Sequence, residues 1–254
     1  MLDIIRHPLF VLPFAFVLMW LSAQLGLFLR KRQSQLDEDV HQDHAVIVSA
    51  TLTLLALIIG FSFSMAIGRY DQRKNYEEAE ANAIGTEYVR ADLLPTDNAQ
   101  RVRALLKEYV DDRILFYRTR DQQQLQQVNE RTTQVQSDLW SAVVPPANSQ
   151  PTPVIALAVA GMNDVLNSQG YTQAAWWNRI PTGAWILMIA TAIWSNSLVT
   201  YTTRHAHVGG RIVILPFVLA VAFFLISDID APRRGVIRVV PQNLLALAQS
   251  LRGS

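Results

Sequence analysis

The hydrophobic positions of the chain are concentrated in four long stretches that contain no charged residue. These stretches cover residues 8–29, 45–68, 183–203 and 212–227, with lengths of 22, 24, 21 and 16 residues. A helix needs about 20 apolar residues to cross a bilayer, because its backbone groups must be satisfied within the segment. The first three stretches therefore predict transmembrane helices. The fourth contains Pro216 and predicts another span if Arg211 extends to the interface; its alternative is a buried core helix.

Four spans divide the chain into four parts. These are 1–68 with the first two spans, 69–182 between the second and third spans, 183–229 with the last two spans, and 230–254 as a tail. An even number of spans places both termini on the same side as residues 69–182. Near the span ends, that side has eight basic residues and the other side has five. The positive-inside rule therefore predicts that the termini and the large domain are cytoplasmic.

The region between the second and third spans shows helical patterns. No proline interrupts Ala45 to Leu94, so the second span is predicted to continue as one helix, or as two nearly collinear ones, that Pro95 ends. Beyond Pro95, apolar residues recur every three or four positions. They are Val102, Leu105, Leu106, Tyr109, Val110, Ile114 and Tyr117. The sequence thus predicts an all-α integral membrane protein with four transmembrane helices and a helical cytoplasmic domain.

The remainder of this domain is predicted as a helix, a loop and a second helix. The first helix runs from Gln122 to Val144, and a proline-rich loop follows at 145–153. The second helix covers 154–167. Trp176 and Trp177 precede the third span, where aromatic residues commonly lie at the membrane interface.

Composition excludes several classes of protein. Only 17% of the residues are charged, the net charge is +1 and there is no cysteine. These values argue against a soluble globular enzyme, a disordered chain and a nucleic-acid-binding protein. The absence of cysteine excludes disulfides, thiolate metal sites and a cysteine nucleophile. The sequence also lacks a Ser-His-acid set, a phosphate-binding glycine loop and H-E-x-x-H, so no enzymatic activity is predicted.

One face of the second span carries small and polar residues at helical spacing. They are Ser49, Thr53, Ala56, Gly60 and Ser64, with Leu57 and Phe61 beside them. Small residues allow helices to approach closely in lipid, which is the commoner use of such a face. The same face could line a hydrated pore, in which Leu57 and Phe61 form a constriction that excludes water.

Two groups of residues could bind a metal ion. His41 and His44 follow the first span, and His205 and His207 follow the third, so these loops could share a zinc ion or simply be solvated. Asp228 and Asp230 directly follow the fourth span. This pair could bind a divalent cation, or it could form an ion cluster with Arg69, Arg233 or Arg234, which is the commoner arrangement.

The second helix resembles that of the bestrophins. The matching positions are Gly60-Phe61 in the membrane, Arg69-Tyr70 where the helix leaves it, then Lys74 and Asn82. The chain is also similar to a group of bacterial bestrophin-like membrane proteins. The phrases that carry this similarity are Gly60 to Ser64, Glu78 to Thr86 and Asp228 to Arg233.

The resemblance implies a homo-oligomer, most simply a pentamer, in the bacterial inner membrane. In it, the second helix of each subunit surrounds a central pore for small monovalent ions, with anions preferred. By position, Thr53, Leu57 and Phe61 would line a narrow neck, Ser64 would follow on the same face, and Arg69 and Arg73 would lie at the pore mouth. The long acidic run of the calcium clasp in the animal proteins is absent here, which argues against calcium gating.

Two other functions are consistent with the residues. The chain could be a membrane-anchored signalling or scaffold protein whose cytoplasmic helices dock a partner, in which case the small-residue face only packs helices. A membrane metalloenzyme would depend on the histidine loops alone.

Ion selectivity does not follow from charge, since the predicted mouth holds basic and acidic residues. They are Arg69, Arg73 and Lys74, and Glu77, Glu78 and Glu80.

Overall fold

The computed structural model describes residues 8–32, 38–203 and 212–253, and every regular element among them is helical. The α-helices are α1 (Pro8–Arg32), α2 (Glu38–Arg90), α3 (Thr96–Arg118), α4 (Gln122–Ser149), α5 (Pro153–Trp177), α6 (Thr182–Thr202), α7 (Ile214–Asp230) and α8 (Gln242–Gly253). A short 3-10 helix, Ala91–Leu93, follows α2. The all-α prediction is confirmed.

The contacts divide the chain into two compact units. The apolar unit comprises Met1–Arg69 and Arg179–Ile237, and the charged unit comprises Tyr70–Asn178 and Arg238–Ser254. The predicted boundaries at residues 68, 182 and 229 separate membrane spans from the cytoplasmic parts of the chain. Contacts within the chain do not locate a membrane, so these boundaries stay a prediction.

Three helical regions are long and apolar enough to cross a membrane. They are Leu9–Arg32, a stretch within His44–Leu93 and a stretch within Pro153–Thr202, the region that contains α6. The helix α7 has 17 residues, about 25 Å at 1.5 Å each. This length is short of the roughly 30 Å hydrocarbon core. The fourth span at 212–227 therefore stays a prediction.

Helix α2 is continuous over 53 residues. This confirms the predicted uninterrupted helix, which begins earlier than expected, at Glu38, and reaches Arg90 before the 3-10 turn. Pro95 stands between that turn and α3 and cannot donate the hydrogen bond that a continuing helix would need.

In the apolar unit, α1 packs against α6 and α7. Asn196 on α6 donates from Nδ2 to the carbonyl of Met19 at 2.5 Å and to Ser22 Oγ at 2.7 Å. Ser197 donates to the Ser22 carbonyl at 2.9 Å. Gly26 lies so close to the Ser197 carbonyl that a side-chain carbon would clash with it. Small residues and interhelical hydrogen bonds are the usual means by which helices associate in lipid.

In the charged unit, α3 packs against α4 and α8, and α4 packs against α5. The predicted apolar stripe of α3 lies in this core. Its buried members are Val102, Leu106, Tyr109, Val110, Ile114 and Tyr117.

The predicted loop at 145–153 is wrong over most of its length. Helix α4 continues through Pro145 and Pro146 to Ser149, which leaves only 150–152 outside helices. A proline at 146 cannot donate to the carbonyl of Ala142 one turn earlier. The Asn98 side chain supplies the missing donor, from Nδ2 to the Ala142 carbonyl at 3.0 Å.

Helix α5 is longer than predicted and includes Trp176. It runs to Trp177 instead of ending at residue 167. Trp176 is buried, with its ring 5.1 Å from that of Phe116 and 5.4 Å from that of Tyr117. Trp176 is therefore a core residue of the charged unit, whereas Trp177 is 74% exposed, and the interfacial position of both stays a prediction.

Candidate functional site

The small-residue face of α2 is exposed in the single chain. Thr53 and Ser64 are exposed, and the side chains of Leu57 and Phe61 are 52% and 70% exposed. The opposite face carries Leu55, Ser62 and Ala66, all of which are buried. We call the exposed face, formed by Ser49, Thr53, Ala56, Leu57, Gly60, Phe61 and Ser64, the α2 stripe.

The glycine of the stripe has open space beside it. A side-chain carbon placed on Gly60 would meet no described atom within 4 Å, and the same holds for Gly68. Close packing within the chain therefore does not explain why small residues occupy these positions. The stripe is free to face other subunits, an aqueous pore or lipid.

Two hydroxyl groups of the stripe bond to their own helix. Thr53 donates to the Ser49 carbonyl at 2.8 Å, and Ser49 donates to the Val46 carbonyl at 3.0 Å. Such local bonds satisfy the hydroxyl hydrogens in an apolar environment, while the oxygens retain acceptor capacity toward water. The stripe is chemically suited to both lipid and water.

The two aspartates after α7 bind backbone N–H groups. The Asp228 carboxylate accepts hydrogen bonds from the N–H of Val236 at 2.7 Å and of Ile237 at 2.8 Å. Asp230 accepts from the N–H of Ile180, which lies 3.1 and 3.2 Å from its two oxygens. Both residues are buried.

Arg69 pairs with the second of these aspartates. Its Nη1 lies 3.6 Å from Asp230 Oδ1, and both side chains are largely buried, at 13% and 8% exposed. The described residues contain no group of three or more His, Cys, Asp or Glu placed to hold a metal. The ion-cluster interpretation accounts for the Arg69–Asp230 contact, whereas backbone N–H groups hold Asp228, and a cation at Asp228 and Asp230 stays an untested prediction.

Arg73 holds the C-terminal end of α5. Its guanidinium is buried and donates from Nε to the Ala175 carbonyl at 3.1 Å and from Nη2 to the Asn178 carbonyl at 3.0 Å. The last carbonyls of a helix lack partners within it, and a cation there also interacts favourably with the helix dipole. Because this guanidinium faces the interior of the charged unit, we do not retain Arg73 among the proposed pore-mouth residues.

Glu77 and Glu80, two of the charged residues of α2 that the sequence placed near a pore mouth, are buried. Glu77 accepts from Asn243 Nδ2 at 2.7 Å and from the Leu244 N–H at 2.9 Å, at the start of α8. Glu80 pairs with Arg113 and accepts from Thr172 Oγ1 at 3.1 Å. With Arg73 and Glu87, these residues recur at helical spacing on one face. That spacing was the sequence signal from which a shared buried face could have been inferred. Charged residues at helical spacing, however, usually mark a face exposed to solvent.

Burial and the Glu80–Arg113 pair together shift the pKa values of the neighbouring groups. Burial alone would lower the pKa of Arg113, but the adjacent Glu80 carboxylate raises it above the usual value. Burial, reinforced by Glu80, raises the pKa of Tyr109 and of Tyr117 far above the usual range. Both phenols therefore remain neutral at ordinary pH.

The first histidine pair, predicted to lie in a loop, falls on α2, which begins at Glu38, whereas residues 204–211 of the second loop lie outside the described part of the chain. The side chains of His41, His205 and His207 are not among the described ones. The ring of His44 lies 5.8 Å from that of Tyr201. A metal shared by these loops stays a prediction.

A comparison with protein families identifies the chain. The bestrophin-like domain family matches residues 9–244. The chain belongs to the bestrophin-like family. This confirms the resemblance found around Gly60-Phe61 and Arg69-Tyr70. Among curated proteins, none matches the sequence of this bestrophin-like chain.

Solved structures of a bacterial bestrophin homologue from Klebsiella pneumoniae share the fold. A variant of that homologue with one substitution matches with a TM-score of 0.65 and 15% identity, over 95% of this chain and 98% of that one. A second variant matches with a TM-score of 0.64 and 15% identity, over 95% and 94%. A crystal structure phased on zinc matches with a TM-score of 0.62 and 15% identity, over 93% and 98%. The bestrophin-like chain therefore has the architecture of that homologue along nearly its whole length.

Proposed function

We propose that this bestrophin-like protein is the subunit of a homo-oligomeric ion channel in the bacterial inner membrane, with a central pore lined by α2. The observation that carries the proposal is the α2 stripe. It combines small, hydroxyl-bearing and bulky apolar residues on one exposed helix face, and no described residue of the same chain covers Gly60.

A ring of subunits follows from this geometry. One helix per chain cannot enclose a pore, so several copies must place their stripes around a common axis. Family membership supports a pentamer. The proposed topology keeps four spans, with α7 as the fourth, and both termini in the cytoplasm.

The stripe supports a narrow, gated neck. Leu57 and Phe61 are one helical turn apart, and a ring of apolar side chains with a small radius loses water and blocks ions. Thr53 and Ser64 lie on either side of this pair along the helix and would offer hydroxyl oxygens to hydrated ions. Gly60 would permit close approach of neighbouring helices.

Small monovalent anions are the proposed permeant ions. No carboxylate occurs between Ser49 and Gly68, and the first charged residue after this segment is Arg69. Arg69 would lie at the mouth with its charge partly balanced by Asp230. A ring of arginines at the end of an uncharged pore would favour anions over cations.

The test is to measure the mass of the purified protein in detergent and then chloride and potassium flux through liposomes that contain it. We expect an oligomer and a chloride flux above that of protein-free liposomes, with a smaller potassium flux. A monomer without flux would instead favour the scaffold alternative, in which the charged unit docks a partner.

A further inference from the structure

Glu87 is a buried carboxylate without a hydrogen-bond partner in the charged unit. Its exposed fraction is 0%, and neither Oε1 nor Oε2 has a hydrogen-bond partner in the described part of the chain. It differs in this from Glu77 and Glu80, which lie on the same face of α2 and have N–H, hydroxyl or guanidinium partners. An ionised carboxylate is costly to bury in this way, and a neutral carboxyl group much less so.

Gly161 of α5 lies directly against the carboxyl group of Glu87. A side-chain carbon on Gly161 would clash with Glu87 Oε2 and with the guanidinium of Arg90. The missing side chain therefore makes the room in which the carboxyl group lies. Glu87 is thus part of the contact by which α5 packs on α2.

Two charged groups act on Glu87, one from each helix. Burial is the largest influence and raises the pKa of Glu87 to about 8. Arg90, one turn further along α2, lowers this pKa, and Asp164 on α5 raises it. The nearby arginine thus opposes the effect of burial only in part.

We propose that Glu87 is a proton-binding site, protonated when α5 packs on α2, and that its ionisation at rising pH weakens this packing. The folded protein binds this proton more tightly than the unfolded chain, in which the carboxyl group has its ordinary pKa of 4.5. The stabilising effect is therefore complete below about pH 4.5, decreases as the pH rises and is lost above about pH 8. Small changes near neutral pH would alter the stability of this contact.

This site is independent of the proposed pore. Glu87, Arg90, Gly161 and Asp164 all belong to the charged unit. The inference would hold for a scaffold as well as for a channel, and its test measures stability, not flux.

The test compares the melting temperatures of the full-length protein and its Glu87→Gln variant, in detergent, between pH 6 and pH 8. Glutamine keeps the size of the side chain and cannot ionise. We expect the melting temperature of the wild type to fall, relative to Glu87→Gln, by about 3 °C per pH unit. The matched control is Glu78→Gln, which changes an exposed glutamate of the same helix and should follow the wild type.

Two results would overturn the proposal. One is an equal pH slope for the wild type and Glu87→Gln. The other is a Glu87→Gln variant that is less stable than the wild type throughout, which would show an ionised carboxylate paired with Arg90.

Hydrogen exchange provides a second measurement that needs no variant. In the wild type, the amides of α5 around Gly161 should lose protection about tenfold from pH 6 to pH 7 and less from pH 7 to pH 8, beyond the intrinsic change in exchange rate. Unchanged protection over this interval would contradict the proposal.

Discussion

Arg113 Nε donates to Glu80 Oε1 inside the charged unit, and both side chains are fully buried. The two residues are 33 positions apart, on α3 and α2, and Thr172 of α5 donates to the same carboxylate. Three helices thus meet at one ion pair. A buried pair of this kind need not be more stabilising than an apolar core, but removing one partner leaves the other charge uncompensated.

We therefore expect Glu80→Ala to destabilise the protein by about 3–5 kcal/mol. Denaturant unfolding of the purified protein would measure the change. The double variant Glu80→Leu with Arg113→Leu should lose less stability than the sum of the losses of Glu80→Leu and Arg113→Leu alone, since it leaves no buried charge unpaired. A loss below about 0.5 kcal/mol for Glu80→Ala would show that the pair is not buried as described.

The hydrogen bonds of Asp230 predict a structural role for this residue. Asp230→Asn weakens the contact with Arg69 and replaces one acceptor oxygen with a donor, so the yield of folded oligomer and the melting temperature should both fall. Asp71→Asn, at an exposed position of α2, is the matched control and should behave as the wild type. If micromolar calcium instead strongly alters ion flux or stability of the wild type, then the cation interpretation of Asp228 and Asp230 is the better one.

The proline-containing end of α4 predicts a rescue experiment. Asn98→Ala removes the donor to the Ala142 carbonyl and should cost about 1–3 kcal/mol, because a buried acceptor loses its partner. Adding Pro146→Ala supplies a backbone N–H one turn after Ala142 and should recover part of this loss. Denaturant unfolding of the wild type, both single variants and the double variant would measure the coupling. Strictly additive effects would contradict this account of the helix end.

Periodicity was sufficient to predict the apolar skeleton of the fold. The stripe of α3 from Val102 to Tyr117 repeats every three or four residues and is buried as that pattern implies. The absence of proline between Ala45 and Leu94 likewise predicted a continuous helix. These features depend on neighbouring residues, so they can be read locally.

Features that depend on distant partners could not be predicted in this way. The burial of Glu77 requires the Leu244 N–H, 167 positions away, and that of Glu80 requires Arg113. The helix can continue through Pro146 because Asn98 donates to the Ala142 carbonyl that the proline leaves without a partner, and Asn98 lies 44 positions before Ala142. For the candidate site, the residues of the α2 stripe were predictable from their spacing, whereas the interior position of Arg73 was not.

The proposed neck predicts the effect of removing its apolar bulk. In the double variant Leu57→Ala with Phe61→Ala, a pore should no longer exclude water at this point, and the flux of small ions should increase several-fold. The matched control is Phe14→Ala with Leu21→Ala, which removes the same side-chain types from exposed positions of α1. The control should leave flux unchanged.

The most direct test of the proposed pore is therefore chloride flux through liposomes that contain equal amounts of oligomer of the wild type, the neck variant and the α1 control. The mass of each oligomer is measured in detergent beforehand. The account predicts an intact oligomer and a several-fold higher flux for Leu57→Ala with Phe61→Ala only. An intact oligomer with unchanged flux would contradict the pore assignment, and dissociation of the neck variant alone would show that the α2 stripe only packs subunits together.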